Sequence, residues 1–116
     1  LGQIQGGVAQ GIGYALYEGL EVGPDARYRQ RSLEAYRVPI ALDIPRVEVV
    51  LLEHPDEAGP HGAKGTAEPP VVPVAAAIGN AIADATGGRI DKTPITPEDV
   101  LRALAEQDTM TTRGQL

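Results

Sequence analysis

The sequence predicts an α+β fold: two long helices and a shorter C-terminal helix packed on a small mixed sheet. Three observations carry that prediction. Apolar residues recur with helical spacing from Gly2 to Glu21 and again from Val72 to Thr86. A short alternating apolar run, Arg46 to Glu53, lies between them and has the period of a strand. Thr96-Pro97-Glu98-Asp99 then has the chemistry of a helix start.

In the first helix Ile4, Val8, Ile12, Leu16 and Leu20 form one stripe. Gly6, Gly7, Gly11 and Gly13 lie in or beside it, and each glycine inside a helix costs about 0.5–1 kcal/mol relative to Ala. So many glycines imply the close approach of another backbone or of a ligand. Gly23-Pro24 ends the element. Residues 24–45 are polar, are interrupted by Pro24, Pro39 and Pro45, and read as loop. The arginines between Arg27 and Arg31 read as a solvated face.

Val47, Val49 and Leu51 alternate with Glu48, Val50 and Leu52, the pattern of a strand buried on much of both faces. Segments within 24–45 and near Arg89 to Asp91 are expected to complete its sheet. Asp56 to Pro70 is loop by composition. In the second helix Val74, Ile78, Ile82 and Ala85 share a face, its many alanines keep it thin, and Gly87-Gly88 caps it. In the third, Thr96 is the N-cap, Pro97 the first helical residue, and Glu98 and Asp99 lie at the positive end of the helix dipole. Val100, Leu101 and Leu104 form its apolar side. Residues 1–106 are expected to form one unit and 107–116 a flexible tail.

A chain of 116 residues is one domain or a piece of a larger one, and its start at Leu1 rather than Met suggests a fragment. Lys+Arg 10 against Asp+Glu 16 gives a net charge of −6, the wrong sign for displacing counterions from a nucleic-acid backbone. No apolar run approaches the roughly 20 residues that cross a bilayer, and no basic leader with an apolar core is visible at the N-terminus. A cytoplasmic location is the resulting expectation. Cysteine is absent, which removes disulfides, thiol nucleophiles and cysteine-held metal centres. The only aromatics are Tyr14, Tyr17, Tyr28 and Tyr36, so any core is built from aliphatic side chains.

The chemistry-bearing side chains are few. The glycines from Gly7 to Gly13 lack the Lys-Ser/Thr of a P-loop and do not match the dinucleotide-binding pattern. Gln3, Gln5 and Gln10 nevertheless offer amide donors to a polar cofactor. His54 and His61 are too few for a protein-only metal site, and Ser32 has no flanks of a nucleophile. The stretch from His61 to Pro70 is different. Gly62, Ala63, Gly65 and Ala67 let its backbone press against something large, and Glu68 is stiffened by the prolines after it. A carboxylate on a rigid, small-residue loop just before a helix suits a positioned general base. A solvated Glu at a helix N-terminus is the alternative reading of the same residues.

Lys64-Gly65-Thr66-Ala67-Glu68-Pro69-Pro70 resembles the loop that carries the catalytic glutamate in molybdenum hydroxylases of the xanthine dehydrogenase and aldehyde oxidase family. Residues 2–13 are similar to that family's glycine- and glutamine-rich helix beside the molybdopterin, and Pro73 to Gly88 and Thr96 to Leu104 also match in order and spacing. The resemblance covers residues 1–106. It implies the C-terminal portion of a molybdenum-binding subunit or domain that hydroxylates an aldehyde or an N-heterocycle.

By that resemblance Glu68 is the general base toward the molybdenum-bound oxygen ligand, Gln3 contacts the pterin, and Gly65, Thr66 and Ala67 line the cofactor. The metal is held by the pterin dithiolene, and no protein side chain ligates it. The pterin occurs with or without a cytosine dinucleotide, and iron–sulfur clusters and FAD are expected on other domains or subunits. Partners implied are the remainder of the molybdenum-binding chain and those subunits, with a homo-oligomer of the excised piece as a further expectation. One departure is Ala67, where many relatives have Gly; its methyl bears on the shape of the pocket. Two other readings of the residues are a non-catalytic module that packs against a partner subunit and an independent phosphate-binding domain.

Overall fold

The computed structural model describes residues 1–113, with side chains described through Gln107. Helix α1 spans Gly2–Ile12 and widens at its end into a π-helical turn, Gly13–Tyr17. There the N–H of Glu18 donates to the Gly13 carbonyl at 2.8 Å, five residues back. After a long irregular stretch, a single 3₁₀ turn at Pro60–Gly62 precedes α2, Val74–Thr86, and α3, Pro97–Arg113. Turns at residues 68–73 lead the chain into α2, with the Val71 N–H donating to the Glu68 carbonyl at 3.0 Å.

The glycines of α1 set how closely the elements approach. A β-carbon placed on Gly11 would lie 2.5 Å from Val74 Cβ, so α1 meets the first turn of α2 with almost no space between them. A similar approach joins α2 to α3: a β-carbon on Gly88 would lie 2.8 Å from Ala103 Cβ. Gly87, at φ 74°, ends α2 in the left-handed conformation that its sequence position predicts. Its carbonyl accepts a bond from Gln107 Nε2 at 2.7 Å.

The start of α3 is a capping box with Asp as the reciprocal residue. Thr96 Oγ1 accepts from the Asp99 N–H at 3.3 Å, and Asp99 Oδ2 accepts from the Thr96 N–H at 3.0 Å and from its hydroxyl at 2.8 Å. Asp99 Oδ1 also takes Lys92 Nζ at 2.8 Å and an Arg102 guanidinium nitrogen at 3.3 Å. The Lys92 ammonium, and then the Thr96 N–H and hydroxyl, hold this buried carboxyl well below the usual carboxylate range, against the opposing effect of burial.

Buried apolar side chains are few and small: Ile12, Ala15, Ile95 and Ala103. Ala15 is fully covered, and its carbonyl accepts the Ile95 N–H at 2.7 Å, which ties the π turn to the segment before α3. The radius of gyration is 18.9 Å, against about 13 Å for a compact domain of this length. The accessible surface is 9400 Å², against roughly 6,100 Å² for a compact monomer of this mass. Most of the apolar surface therefore faces outward within this segment.

Several expectations are corrected. Among the described residues no sheet forms; the one pairing is an isolated antiparallel bridge between Val22 and Tyr28. Arg46 to Glu53 has no regular secondary structure and is unpaired, and neither 24–45 nor Arg89 to Asp91 lies beside it as a strand. The first helical stretch stops at Tyr17 rather than Glu21, and Leu16 and Leu20 are exposed. A spacing of four residues drifts forward around a helix of 3.6 per turn, and the π turn then hands the buried position to Ala15. In α3 Leu101 and Leu104 are exposed while Ala103 is buried, because the backbone of Gly88 comes too close for a larger side chain. Helix α3 runs on over 107–113, and 114–116, the end of the stretch read as a tail, lie outside the described residues.

Candidate active site

The loop that carries Glu68 is fixed at both ends. Before it, Asp56 closes a tight turn: its side chain accepts the Ala58 N–H at 2.9 Å, and its own N–H donates to the Gly62 carbonyl at 3.1 Å. His61 and Gly62 have φ of 55° and 77°, which reverses the chain there. After it, Pro69 and Pro70 lead into the turns before α2. Between these anchors Lys64, Gly65, Thr66 and Ala67 are exposed, and their backbone N–H groups have no acceptor among the described residues. The Glu68 side chain is exposed and makes no hydrogen bond or ion pair there.

Helix α1 lies against this loop through Gly7. A β-carbon on Gly7 would be 2.8 Å from Pro70 Cβ and 3.5 Å from the Ala67 carbonyl oxygen. Gln3 is one turn before Gly7 on the same side of the helix, so the structure brings Gln3 and the Ala67–Pro70 backbone to the same region. Around the helix from this contact, Gly2 and Gly6 have nothing within 4 Å of where a β-carbon would stand, and the same is true of Gly65. Gln10 is exposed on the same helix, its Nε2 donating to the Tyr14 hydroxyl at 3.0 Å.

The glycine-rich helix thus presents two kinds of surface. Gly7 and Gly11 are spent on close packing against Pro70 and Val74, while Gly2 and Gly6 keep an open, amide-lined face. Sequence reasoning missed the pairing of Gly7 with Pro70. Its signal was present as a glycine in the middle of an apolar helical stripe, where only a close neighbour justifies the loss of a side chain.

Residues 1–45 match the family described as molybdopterin cofactor-binding domain. The chain is 40% identical over 100 residues to the xanthine dehydrogenase molybdenum-binding subunit of Escherichia coli O157:H7, a match that covers 84% of this chain and 13% of that subunit. It is 45% identical over 104 residues to the aldehyde oxidoreductase of Megalodesulfovibrio gigas, which covers 89% of this chain and 11% of the relative. The chain belongs to the xanthine dehydrogenase and aldehyde oxidase family.

Its fold agrees with that placement. The crystal structure of quinoline 2-oxidoreductase from Pseudomonas putida 86 superposes with a TM-score of 0.82 at 33% identity, over 90% of this chain and 14% of that one. The chain therefore spans only a small part of the molybdenum hydroxylases it matches. Among the described residues no group of three or more His, Cys, Asp or Glu side chains is placed to hold a metal ion. The donors that are present, free backbone N–H groups at 65–67 and the Gln3 amide, suit the polar periphery of a pterin cofactor.

Proposed function

We propose that this segment is the C-terminal part of a molybdenum-binding subunit whose complete enzyme oxidatively hydroxylates an aldehyde or an N-heterocycle. The observation that carries this reading is the placement of Glu68: an unpartnered carboxylate on a loop held between the Asp56 turn and α2, beside the open glutamine face of α1. In this reading the Gln3 amide and the N–H groups of Gly65, Thr66 and Ala67 hold the molybdenum-pterin cofactor. When bound, that cofactor supplies the two-electron oxidant.

Glu68 accepts the proton of the attacking hydroxyl group as the new carbon–oxygen bond forms. Among the described residues no Lys, Arg or backbone donor is bonded to its carboxylate, so its oxygens are open to that proton. The prolines that follow limit the backbone to extended geometry at Glu68, which restricts where the carboxylate can swing. Partners in this reading are the remainder of the molybdenum-binding chain and the units that carry iron–sulfur clusters and FAD. The segment alone is inactive, since a pocket assembled from several stretches of chain is not preorganised by one of them.

The test is Glu68→Gln in the complete subunit. Molybdenum and pterin content should match wild type while kcat falls by about 10²–10⁴-fold, the usual contribution of a general base. A near-normal rate in a fully loaded variant rejects the assignment. A second reading, a non-catalytic module packing against a partner subunit, draws on exposed apolar side chains such as Leu33 at 88% and Leu42 at 91%. It requires that the segment occur apart from a molybdenum-binding chain, which peptide mapping of the native complex decides.

A further inference from the structure

Gly7 is buried, and what covers it belongs to the base-carrying loop. A β-carbon on Gly7 would stand 2.8 Å from Pro70 Cβ, 3.4 Å from Pro70 Cγ and 3.5 Å from the Ala67 carbonyl oxygen. Pro70 lies within the turn that opens at Glu68, whose carbonyl accepts the Val71 N–H at 3.0 Å. The Pro70 ring and the Glu68 backbone are thus parts of one closed turn, and that turn rests on α1 at Gly7. Glu68 has no other tether among the described residues: its side chain makes no hydrogen bond or ion pair, and the N–H groups of Lys64 to Ala67 have no acceptor. Gln3 stands one helical turn before Gly7 on the same side of α1. How deeply Pro70 seats on α1 therefore fixes how far the carboxylate stands from the face that carries Gln3.

We infer that Gly7 is a positioning residue for the base: its missing side chain sets the separation between Glu68 and the cofactor face of α1. The inference rests on the reading of Glu68 as general base and of that face as the pterin surface. A methyl group at residue 7 has to be met by movement of the Pro70 turn. The backbone of α1 is held by its own hydrogen bonds, and a proline ring has no rotamer that swings it aside. Restoring an ordinary carbon–carbon contact of about 3.5–4.0 Å takes a shift of roughly 1 Å. A misplacement of about 1 Å at a reacting group costs on the order of 100-fold in rate. Gly11 makes a comparable approach to Val74, but Val74 lies beyond the turn, within α2. That contact joins two helices, whereas the Gly7 contact carries the carboxylate.

A double-mutant cycle in the complete subunit tests it. Gly7→Ala should lower kcat about 100-fold, with KM and with molybdenum and pterin content close to wild type. In a Glu68→Gln background the same change should cost less than about threefold, because residues that act as a unit are not additive. Equal losses in the two backgrounds overturn the inference, as does a loss of molybdenum that accounts for the fall in rate. A crystal structure of the complete Gly7→Ala subunit gives a readout apart from turnover. Pro70 and the Glu68 backbone should stand roughly 1 Å further from α1, and an unmoved Glu68 overturns the inference whatever the rate. Pro70→Gly empties the same contact without a clash. It should also lower kcat in the wild-type background and not in Glu68→Gln, so the cycle can be closed even where Gly7→Ala does not fold. A normal rate in Glu68→Gln alone rejects the base, whereas a slow Glu68→Gln with additive Gly7→Ala and Pro70→Gly rejects only the positioning role.

Discussion

Val74 occupies the space that a side chain on Gly11 would need: a β-carbon there would stand 2.5 Å from Val74 Cβ and 2.7 and 3.0 Å from its methyl groups. Both partners are stiff, one being helix backbone and the other a β-branched residue in the first turn of α2. Gly11→Ala in the complete subunit is therefore expected to destabilise by about 1–3 kcal/mol through overpacking, despite the better helix propensity of alanine. Val74→Ala in the same background should recover part of the loss. Thermal unfolding of the single and double variants measures both.

Gly6→Ala should behave in the opposite way. Nothing lies within 4 Å of the added methyl, so the fold should gain about 0.5–1 kcal/mol from helix propensity. If the open face of α1 receives the pterin, the same methyl should lower bound molybdenum. Metal analysis beside a melting curve separates the two effects, and unchanged loading removes Gly6 from the cofactor surface.

Thr96→Ala removes the hydroxyl that caps α3 and should cost about 1 kcal/mol. Thr96→Ser keeps the oxygen and should lie close to wild type. Denaturant midpoints of the two variants give the comparison.

Asp99 predicts an acid limit to stability. Its folded-state carboxyl titrates below the ordinary value of 3.8, chiefly because of Lys92. As pH falls, the unfolded chain takes up this proton first. The stabilisation is complete above about pH 4 and is lost as pH drops toward the folded-state value. Asp99→Asn should be less stable at neutral pH and should show a flatter acid limb in thermal melts below about pH 4.

At the alkaline end Tyr36 donates its hydroxyl to Glu18 Oε2 at 2.8 Å, and that bond, followed by burial and the Glu18 charge, raises its pKa above 10.0. The folded chain keeps a proton that the unfolded chain releases, so this contribution is present below pH 10 and is lost as pH rises through the folded value. Tyr36→Phe should remove the late component of the tyrosinate absorbance titration, and Glu18→Gln should move it to lower pH.

What the sequence makes legible is local. Thr96, Asp99 and Gly87 specify helix ends by chemistry contained within a few residues, and the structure places all three as that chemistry requires. The Lys64–Pro70 motif likewise marks its loop without knowledge of what packs on it. Long-range partners are less legible. The alternation from Val47 to Leu52 predicts a strand, but among the described residues that stretch takes up no regular secondary structure and pairs with nothing. Leu101 and Ala103 teach the same lesson at smaller scale. Hydrophobicity favours the leucine, whereas the approach of Gly88 leaves room only for the alanine.

The π turn at Gly13–Tyr17 has a consequence for how this chain tolerates changes of length. It fits one residue more into a turn than α1 does. Loss of a single codon within it would narrow the turn to ordinary α pitch, leaving Gly7 and Gly11 in register with Pro70 and Val74. The same loss two turns earlier would rotate Gly7 away from Pro70 and carry the whole amide face with it. Heritable shortening is thus expected to be confined to residues 13–17, where the bonds at stake are those of the Gly13 carbonyl with Glu18, the Tyr14 hydroxyl with Gln10 and the Ala15 carbonyl with Ile95.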